Sequence, residues 1–493
     1  MILWLLLFLG IITYFILQRS VAPTTRTPIW ILWLVMMTPA FIWTGWVLVR
    51  GDNEPIPPVL VIGPFLLCPL IYWWLIQIGR QGLNPPQSQS TTQSLKVDLL
   101  QRAEETDGIV RPLDKSEESH LRDCFPWSVY YLQNLEYRPQ AVICTGTLRA
   151  SPEEAYQTVK ENINKYFGDR FLVIFRENFN GKPFFVLVAN PYRENSTLSN
   201  SQPQTRPFLA LLLLLLTIFT TTASGAEIVG VTGKAVEANP ALFFKGLPYS
   251  LALIAILGFH EMGHYIAARL YNIRTTLPYF IPVPFFLGTF GAFIQMRSPM
   301  PNRKALFDVS LAGPVAGLMI TLPLLIWGLA NSEVVNMPEK TGILTFKALN
   351  PSFSLLLTVL SELALKGQLT ADSAIALHPI AVAGYIGLLV TAFNLMPVGQ
   401  LDGGHIVHAM FGLRTSMIIS QITRFLMLIL SLIRPELLLW ALLLFLIPIR
   451  DEPALNDVTE LDDGRDFCGL ISLAVLILIV IPAPSILMNW LSR

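Results

Sequence analysis

Long apolar runs dominate the chain outside one polar stretch. A helix needs about 20 apolar residues to cross the hydrocarbon core of a bilayer. Runs near that length occur at 1–17, 29–49, 58–79, 207–223, 248–270, 306–330, 378–396, 415–433 and 468–490. A shorter run at 436–449 would be a tenth transmembrane segment. The pattern therefore predicts a polytopic α-helical membrane protein with nine or ten transmembrane helices. Since no basic segment precedes the run 1–17, we expect a first membrane helix rather than a removed signal peptide.

The polar stretch 84–205 has the pattern of a folded domain between two linkers. Ser151, followed by a proline and two glutamates, is typical of a helix start, and Gly168 is expected to close that helix. Strand-forming runs at 171–175 and 184–188 flank an Asn-Gly pair, which is a strong hairpin signal. These features predict a small soluble α/β domain inserted into the membrane protein.

We therefore divide the chain into three predicted parts. Residues 1–80 are the N-terminal transmembrane helices, 95–205 are the soluble α/β domain, and 207–493 are a membrane-embedded domain. Basic residues in short loops, such as Arg269 and Arg274, mark the cytoplasmic side of a membrane protein. On this basis the soluble domain is expected to be cytoplasmic.

Composition agrees with a membrane protein and argues against other classes. The 493 residues are 53% hydrophobic and 14% charged, whereas a soluble protein carries about 25% charged residues. The formal net charge is +0, so no nucleic-acid partner is predicted. The four cysteines form no CxxC pair, so we interpret them as reduced and structural rather than as disulfides or metal ligands.

The run 248–270 contains the motif His-Glu-x-x-His at His260, Glu261 and His264. Residues four apart lie on one face of a helix, so both histidines can hold one zinc ion. Glu261 lies beside them and can take a proton from a zinc-activated water. Two histidines and a glutamate inside a membrane helix are costly, and such residues are usually functional.

A catalytic zinc ion normally has three protein ligands and one open position. The third ligand is expected in a second polar segment of the apolar C-terminal half, which offers Asp402, His405 and His408. A carboxylate would balance the metal charge, and the two glycines after Asp402 would let the backbone approach closely. These arguments favour Asp402 only slightly.

The paired motifs HEMGH and NLMPVGQLDGG, each in an apolar segment, resemble the site-2 protease family of intramembrane zinc metalloproteases. The resemblance covers about residues 245–450. It implies one Zn²⁺ per chain, with Asp402 as the third ligand. It also implies that Asn394 helps to hold the substrate, while His405 and His408 have no ligand role.

Three further segments resemble the plant and cyanobacterial branch named ethylene-dependent gravitropism-deficient and yellow-green. They are HEMGHYIAARLYNIRTTLPYFIP, GTFGAFIQMRS and Gly-Thr-Leu-Arg at 146–149. The run 280–294, with Gly288 and Gly291, resembles the membrane-embedded strand segment of the family. Its free edge is expected to receive an unfolded substrate by strand addition. The branch implies a thylakoid or plasma membrane location in a cyanobacterium.

The sequence thus predicts an intramembrane zinc metalloendoprotease with membrane-anchored protein substrates and the lipid bilayer as partners. Two alternatives stay open. One is a catalytically silent membrane chaperone or assembly factor, and the other is a CAAX-type membrane metalloprotease, in which a glutamate is the third ligand. The sequence identifies neither the substrate nor the oligomeric state.

Overall fold

The structure is a computed structural model. It describes residues 27–50, 115–138, 141–178, 181–190, 206–283, 287–336, 346–365, 373–434, 437–449 and 451–484, with isolated residues between 10 and 14, between 60 and 75, and at 368. The chain divides into two compact units, Met1–Gly108 and Ile109–Arg493. The predicted domain boundaries at 80, 95 and 205 lie outside the described residues, so they stay predictions.

The first unit contains helix α1, Ile29–Arg50, which is apolar over most of its length. The Trp33 indole donates a hydrogen bond to the Gly10 carbonyl at 2.8 Å. The Thr27 hydroxyl donates one to the Leu75 carbonyl at 2.8 Å. The two other predicted helices of this unit lie largely outside the described residues.

The second unit begins with an α/β domain, defined here as residues 115–189. Its elements are α2 (Lys115–Asp123), β1 (Tyr130–Arg138), β2 (Ala141–Leu148), α3 (Pro152–Phe167), β3 (Phe171–Glu177) and β4 (Pro183–Ala189). The four strands form one antiparallel sheet in the order β1-β2-β4-β3. The predicted helix and both predicted strands are confirmed. The Ser151 side chain caps α3 by accepting from the Glu154 amide, and Gly168 ends it at a φ of +57°.

The core of the α/β domain is apolar and holds two cysteines. The rings of Phe175 and Phe185 stack with their centroids 4.2 Å apart. Cys124 and Cys144 are buried and free. Burial, with a smaller effect from Asp123, raises the pKa of the Cys124 thiol to about 11. Burial raises the pKa of Cys144 further above its ordinary value. Both thiols are therefore protonated at neutral pH, in agreement with the predicted structural role.

The rest of the second unit is mainly helical. Its helices are α4 (Pro207–Ile228), α5 (Gly233–Ala238), α6 (Leu247–Leu270), α7 (Arg303–Ala330), α8 (Leu355–Leu365), α9 (Pro379–Leu395), α10 (Asp402–Ile433), α11 (Leu438–Leu446) and α12 (Asp463–Val480). Two small antiparallel sheets pair β5 (Tyr279–Pro282) with β6 (Thr289–Phe293) and β7 (Glu333–Asn336) with β8 (Ser373–Ala376). The first of these lies where the strand segment was predicted.

Five helices in the described part of the chain are long and apolar enough to cross a membrane. They are Ile29–Trp46, Pro207–Ile228, Pro240–Leu270, Arg303–Ala330 and Asp402–Leu432. The predicted nine or ten spans are not confirmed. Part of the difference is physical, because α9 and α11, which correspond to two of the predicted spans, are only 17 and 9 residues long. Helix α10 is interrupted at Gly412, where φ is +79°, so its first ten residues form a separate short helix.

Helices α6, α7 and α9 pack together through glycines. A side chain at Gly263 of α6 would place its Cβ 2.4 Å from the Ala312 carbonyl of α7. At Gly384 of α9, a Cβ would lie 2.9 Å from the Leu325 Cα of α7. Such distances are too short for any other residue, so these glycines permit the close helix contacts.

Replacing Gly263 with alanine is expected to force α6 and α7 apart. Overpacking of this kind costs about 1–3 kcal/mol, more than the gain in helix propensity. The Gly263→Ala protein should therefore unfold at a lower temperature in detergent. Gly258→Ala on the same helix is the control, since its Cβ would meet only the Phe280 ring, at 3.6 Å. Equal melting temperatures for the two variants would contradict this packing argument.

Candidate metal centre

Helix α6 brings His260, Glu261 and His264 into the interior of the second unit. All three side chains are buried among apolar neighbours. The helix begins more than two turns before His260 and continues past His264, so the backbone around the motif is regular. The predicted i, i+4 pairing of the two histidines is therefore present. Their Nε2 atoms lie 3.2 Å apart.

Asp402 is the first residue of α10 and meets both histidines. Its Oδ2 atom lies 3.4 Å from His260 Nε2 and 3.3 Å from His264 Nε2. In the described part of the chain, no other group of three His, Cys, Asp or Glu side chains brings its ligand atoms as close together. The structure thus joins the three residues that the sequence predicts as ligands.

The distances among these three atoms fit a zinc ion. Tetrahedral zinc with bonds of about 2.0–2.1 Å to nitrogen and oxygen separates its ligand atoms by about 3.3 Å. Two neutral imidazoles and one carboxylate are also the donor types found at catalytic zinc sites. His260, His264 and Asp402 would hold the ion through Nε2, Nε2 and a carboxylate oxygen.

A hydrogen bond at Nδ1 fixes the orientation of the His264 ring. Its Nδ1–H donates to the Val309 carbonyl of α7 at 2.8 Å, which leaves Nε2 free to bind a metal. Gly313 and Gly317 of α7 lie against the two imidazoles. A Cβ at Gly313 would be 2.1 Å from His264 Nε2, and one at Gly317 would be 3.1 Å from His260 Nδ1. These glycines make room for the two imidazole rings.

Two further glycines bring Asp402 to this position. A Cβ at Gly403 would lie 1.9 Å from the Leu395 carbonyl, and one at Gly404 would lie 2.2 Å from the Gly399 carbonyl. The start of α10 can therefore contact the backbone that follows α9. The predicted close backbone approach at these glycines is confirmed.

An open cavity of about 380 Å³ adjoins His260 and Glu261. It is lined by His260, Glu261, Asn394, several apolar residues of α6 and α9, and Thr289 to Ala292 of strand β6. Gly291, with a φ of +109°, is part of this lining. The Asn394 amide lies 3.1 Å from His260 Nε2. The predicted base, the predicted asparagine and one predicted glycine therefore face one space.

Gly288 is placed differently. Its φ is +83°, and a Cβ there would lie 2.5 Å from the Thr221 Cα of helix α4. The Thr220 hydroxyl donates to the Gly288 carbonyl at 2.7 Å. Gly288 is not among the described residues that line the cavity. Its contacts are those of a packing glycine at the start of β6.

His405 and His408 are not part of this three-residue group and pair instead with acidic side chains. His405 Nδ1 is 2.9 Å from Asp451, although without hydrogen-bond geometry. His408 contacts Asp451 at 2.6 Å and Asp457 at 3.0 Å. Burial favours a raised pKa for Asp451, but His405 and His408 outweigh it and hold that pKa below its ordinary value. Sequence reasoning missed both aspartates, because nothing local links them to α10.

Two family models match the chain. Residues 248–433 match peptidase family M50, and residues 119–196 match the EGY3 middle domain. The first range contains all three candidate ligands, and the second covers most of the α/β domain. No solved structure matches the chain.

Curated relatives are named as probable chloroplastic zinc metalloproteases. EGY1 of Oryza sativa subsp. japonica is 31% identical over 70% of this chain and 63% of its own length. EGY1 of Arabidopsis thaliana is 35% identical over 48% of this chain and 43% of its own length. EGY2 of Oryza sativa subsp. indica is 29% identical over 73% of this chain and 65% of its own length. The chain thus spans less than two thirds of the length of each of these relatives.

The names of these relatives imply Zn²⁺ as the cofactor, in agreement with the donor set formed by the three side chains. The matched ranges cover both the helical region and the α/β domain. Residues 248–433 therefore belong to peptidase family M50, the site-2 protease family, and the chain is similar to the EGY zinc metalloproteases.

Proposed function

We propose that this protein is an intramembrane zinc metalloendoprotease that hydrolyses peptide bonds of membrane-anchored proteins. The observation that carries the proposal is the meeting of His260, His264 and Asp402 within 3.4 Å of one another. Glu261 faces the same cavity as His260. Apolar helices long enough to cross a membrane contain these residues, which supports substrates within the bilayer.

The chemistry follows from the positions of the side chains. Bound at His260, His264 and Asp402, a zinc ion would polarise the scissile carbonyl and make a water molecule more acidic. Glu261 would accept the proton of that water and later deliver it to the leaving amine. Its carboxylate lies beside the backbone of Ile294, at the end of strand β6. The base is thus next to the strand that borders the cavity.

The cavity also suggests how a substrate is held. A peptide bond in a transmembrane helix is shielded by its own hydrogen bonds, so the substrate has to unwind before it is cut. Strand β6 pairs with β5 on one side and lines the cavity with residues 289–292. An unwound segment added along β6 would pass Glu261, and the Asn394 amide would hold its backbone. Gly291 would let this segment approach closely.

We further propose a multi-pass location in the plasma or thylakoid membrane of a cyanobacterium, with the α/β domain on the cytoplasmic side. Curated relatives are named as chloroplastic, which fits a thylakoid-related membrane. Labelling of a cysteine introduced at exposed Tyr131 with a membrane-impermeant reagent tests the side. Modification in intact cells would contradict the cytoplasmic placement.

Glu261→Gln is expected to lower cleavage by at least about 100-fold, because general-base catalysis contributes 10²–10⁴-fold. Zinc should stay bound, since glutamine leaves both histidines in place. Cleavage of a membrane-anchored test substrate and elemental analysis measure the two effects. Glu362→Gln, a change in apolar helix α8, is the control and should cleave normally. Normal cleavage by Glu261→Gln would leave a chaperone or another base as the explanation.

Asp402→Ala should remove most of the bound zinc from the purified protein, because it deletes one of three ligands. His405→Ala should weaken zinc binding by no more than about 10–100-fold, as for a residue that only supports a ligand. Added zinc should therefore refill the site in the second variant and not in the first. Equal zinc loss in both variants would reopen the choice of the third ligand.

Gly313→Ala should also lower the zinc content, although residue 313 is not a ligand. The new methyl group would lie 2.1 Å from His264 Nε2 and displace the ring. Gly317→Ala is the milder comparison, since its methyl group would be 3.1 Å from the His260 ring. Elemental analysis of both purified variants is the measurement. Full zinc content in Gly313→Ala would show that the ring is free to move.

A further inference from the structure

One segment of the helical region completes the sheet of the α/β domain. Residues 451–458, called here the bridging segment, lie between α11 and α12. Phe175 of β3 donates its amide to the Leu455 carbonyl at 2.7 Å, and the Asp457 amide donates to the Phe175 carbonyl at 2.9 Å. The Val458 side chain is buried in the core of the domain. The segment therefore acts as a parallel strand at the edge formed by β3.

The same segment is bonded to the helical region on its other side. The Leu455 amide donates to the Met300 carbonyl at 2.8 Å, and the Asn456 amide donates to the Pro301 carbonyl at 3.1 Å. Both acceptors lie directly before α7, the helix that packs against the candidate zinc ligands. The bridging segment is thus fixed between the α/β domain and the start of α7.

The two aspartates of the bridging segment hold a buried histidine of α10. His408 has no exposed surface. It donates from Nδ1 to Asp451 at 2.6 Å and from Nε2 to Asp457 at 3.0 Å. Since both ring nitrogens donate, the ring carries a positive charge between two carboxylates. The His408 carbonyl accepts from Arg303 at 3.3 Å, which ties the same residue to α7.

This cluster lies on the short helix that carries Asp402. His408 follows Asp402 by six residues, about 9 Å along the helix axis. The break at Gly412 separates this short helix from the rest of α10. The direction of the Asp402 side chain therefore depends on what holds residues 402–411, and His408 makes two buried contacts to carboxylates there.

We propose that His408, Asp451 and Asp457 are positioning residues for the third zinc ligand. Through them the α/β domain holds Asp402 in place, by means of the bridging segment. Removing one partner of a buried charge cluster leaves the others unpaired, which is costly and shifts the helix. The inference rests on the proposed function, because it takes Asp402 as a ligand of the catalytic zinc ion.

Zinc affinity is the test, measured by chelator competition on the full chain in detergent. All variants carry Glu261→Gln, so the result does not depend on cleavage. His408→Gln and Asp457→Asn should each weaken zinc binding by about 10–100-fold. The double variant should bind zinc no more weakly than the worse single variant, because both substitutions remove the same contact between His408 and Asp457. Asp462→Asn is the control, since its exposed carboxylate pairs with Arg465 and asparagine can still cap α12.

A second variant tests the role of the α/β domain. Val458→Asp places a charge in the domain core and should detach the bridging segment. It should weaken zinc binding, and adding His408→Gln should cause little further loss. Tyr131→Asp, on the exposed edge strand β1, should leave the affinity unchanged. A thermal unfolding measurement shows whether the Val458→Asp protein folds. If it does not fold, the zinc affinities of the His408 and Asp457 variants alone decide the inference.

Unchanged zinc affinity in His408→Gln and Asp457→Asn would overturn the inference. Independent, additive losses from Val458→Asp and His408→Gln would also overturn the role given to the domain. Cleavage by the protein with Glu261 intact tests the proposed function separately. A protein that binds zinc but cuts no substrate would contradict that function, while the affinities would still decide whether these residues position Asp402.

Discussion

The contact between α6 and α7 determines where the rest of the site lies. Buried imidazoles need hydrogen-bond partners, and in an apolar bundle few are available. The two helices approach so closely that a backbone carbonyl of α7 serves His264 directly. That approach requires glycine at 263 on one helix and at 313 and 317 on the other. The interface is thus both the packing surface of the bundle and the frame of the candidate metal centre.

Access for water and substrate sets a second constraint. The proposed hydrolytic site, inside apolar helices, has to admit water and an extended peptide without exposing unpaired backbone to lipid. Strand β6 provides a backbone edge beside Glu261, and its partner β5 satisfies the other edge. Thr220 of α4 fixes the turn before β6. The cavity is therefore bordered by one strand and by the helices that carry Glu261 and Asn394.

The α/β domain and the helical region are joined by a shared segment rather than by a simple linker. The bridging segment is a strand of the domain and at the same time a partner of α10. The two regions are thus joined by backbone hydrogen bonds and buried ion pairs. A small domain is in this way connected to the helix that carries Asp402.

Local sequence patterns were sufficient to predict much of the structure of this protein. Apolar runs located the long helices, and the i, i+4 spacing paired His260 with His264, because both depend on one helix alone. The cap at Ser151 and the hairpin strands were likewise local. The resemblance, rather than the spacing, identified Asp402. Tertiary structure alone decided which carbonyl orients His264, which carboxylates hold His408, and that Gly288 packs on α4. These depend on atoms brought together from distant parts of the chain, and no periodicity or motif encodes such contacts.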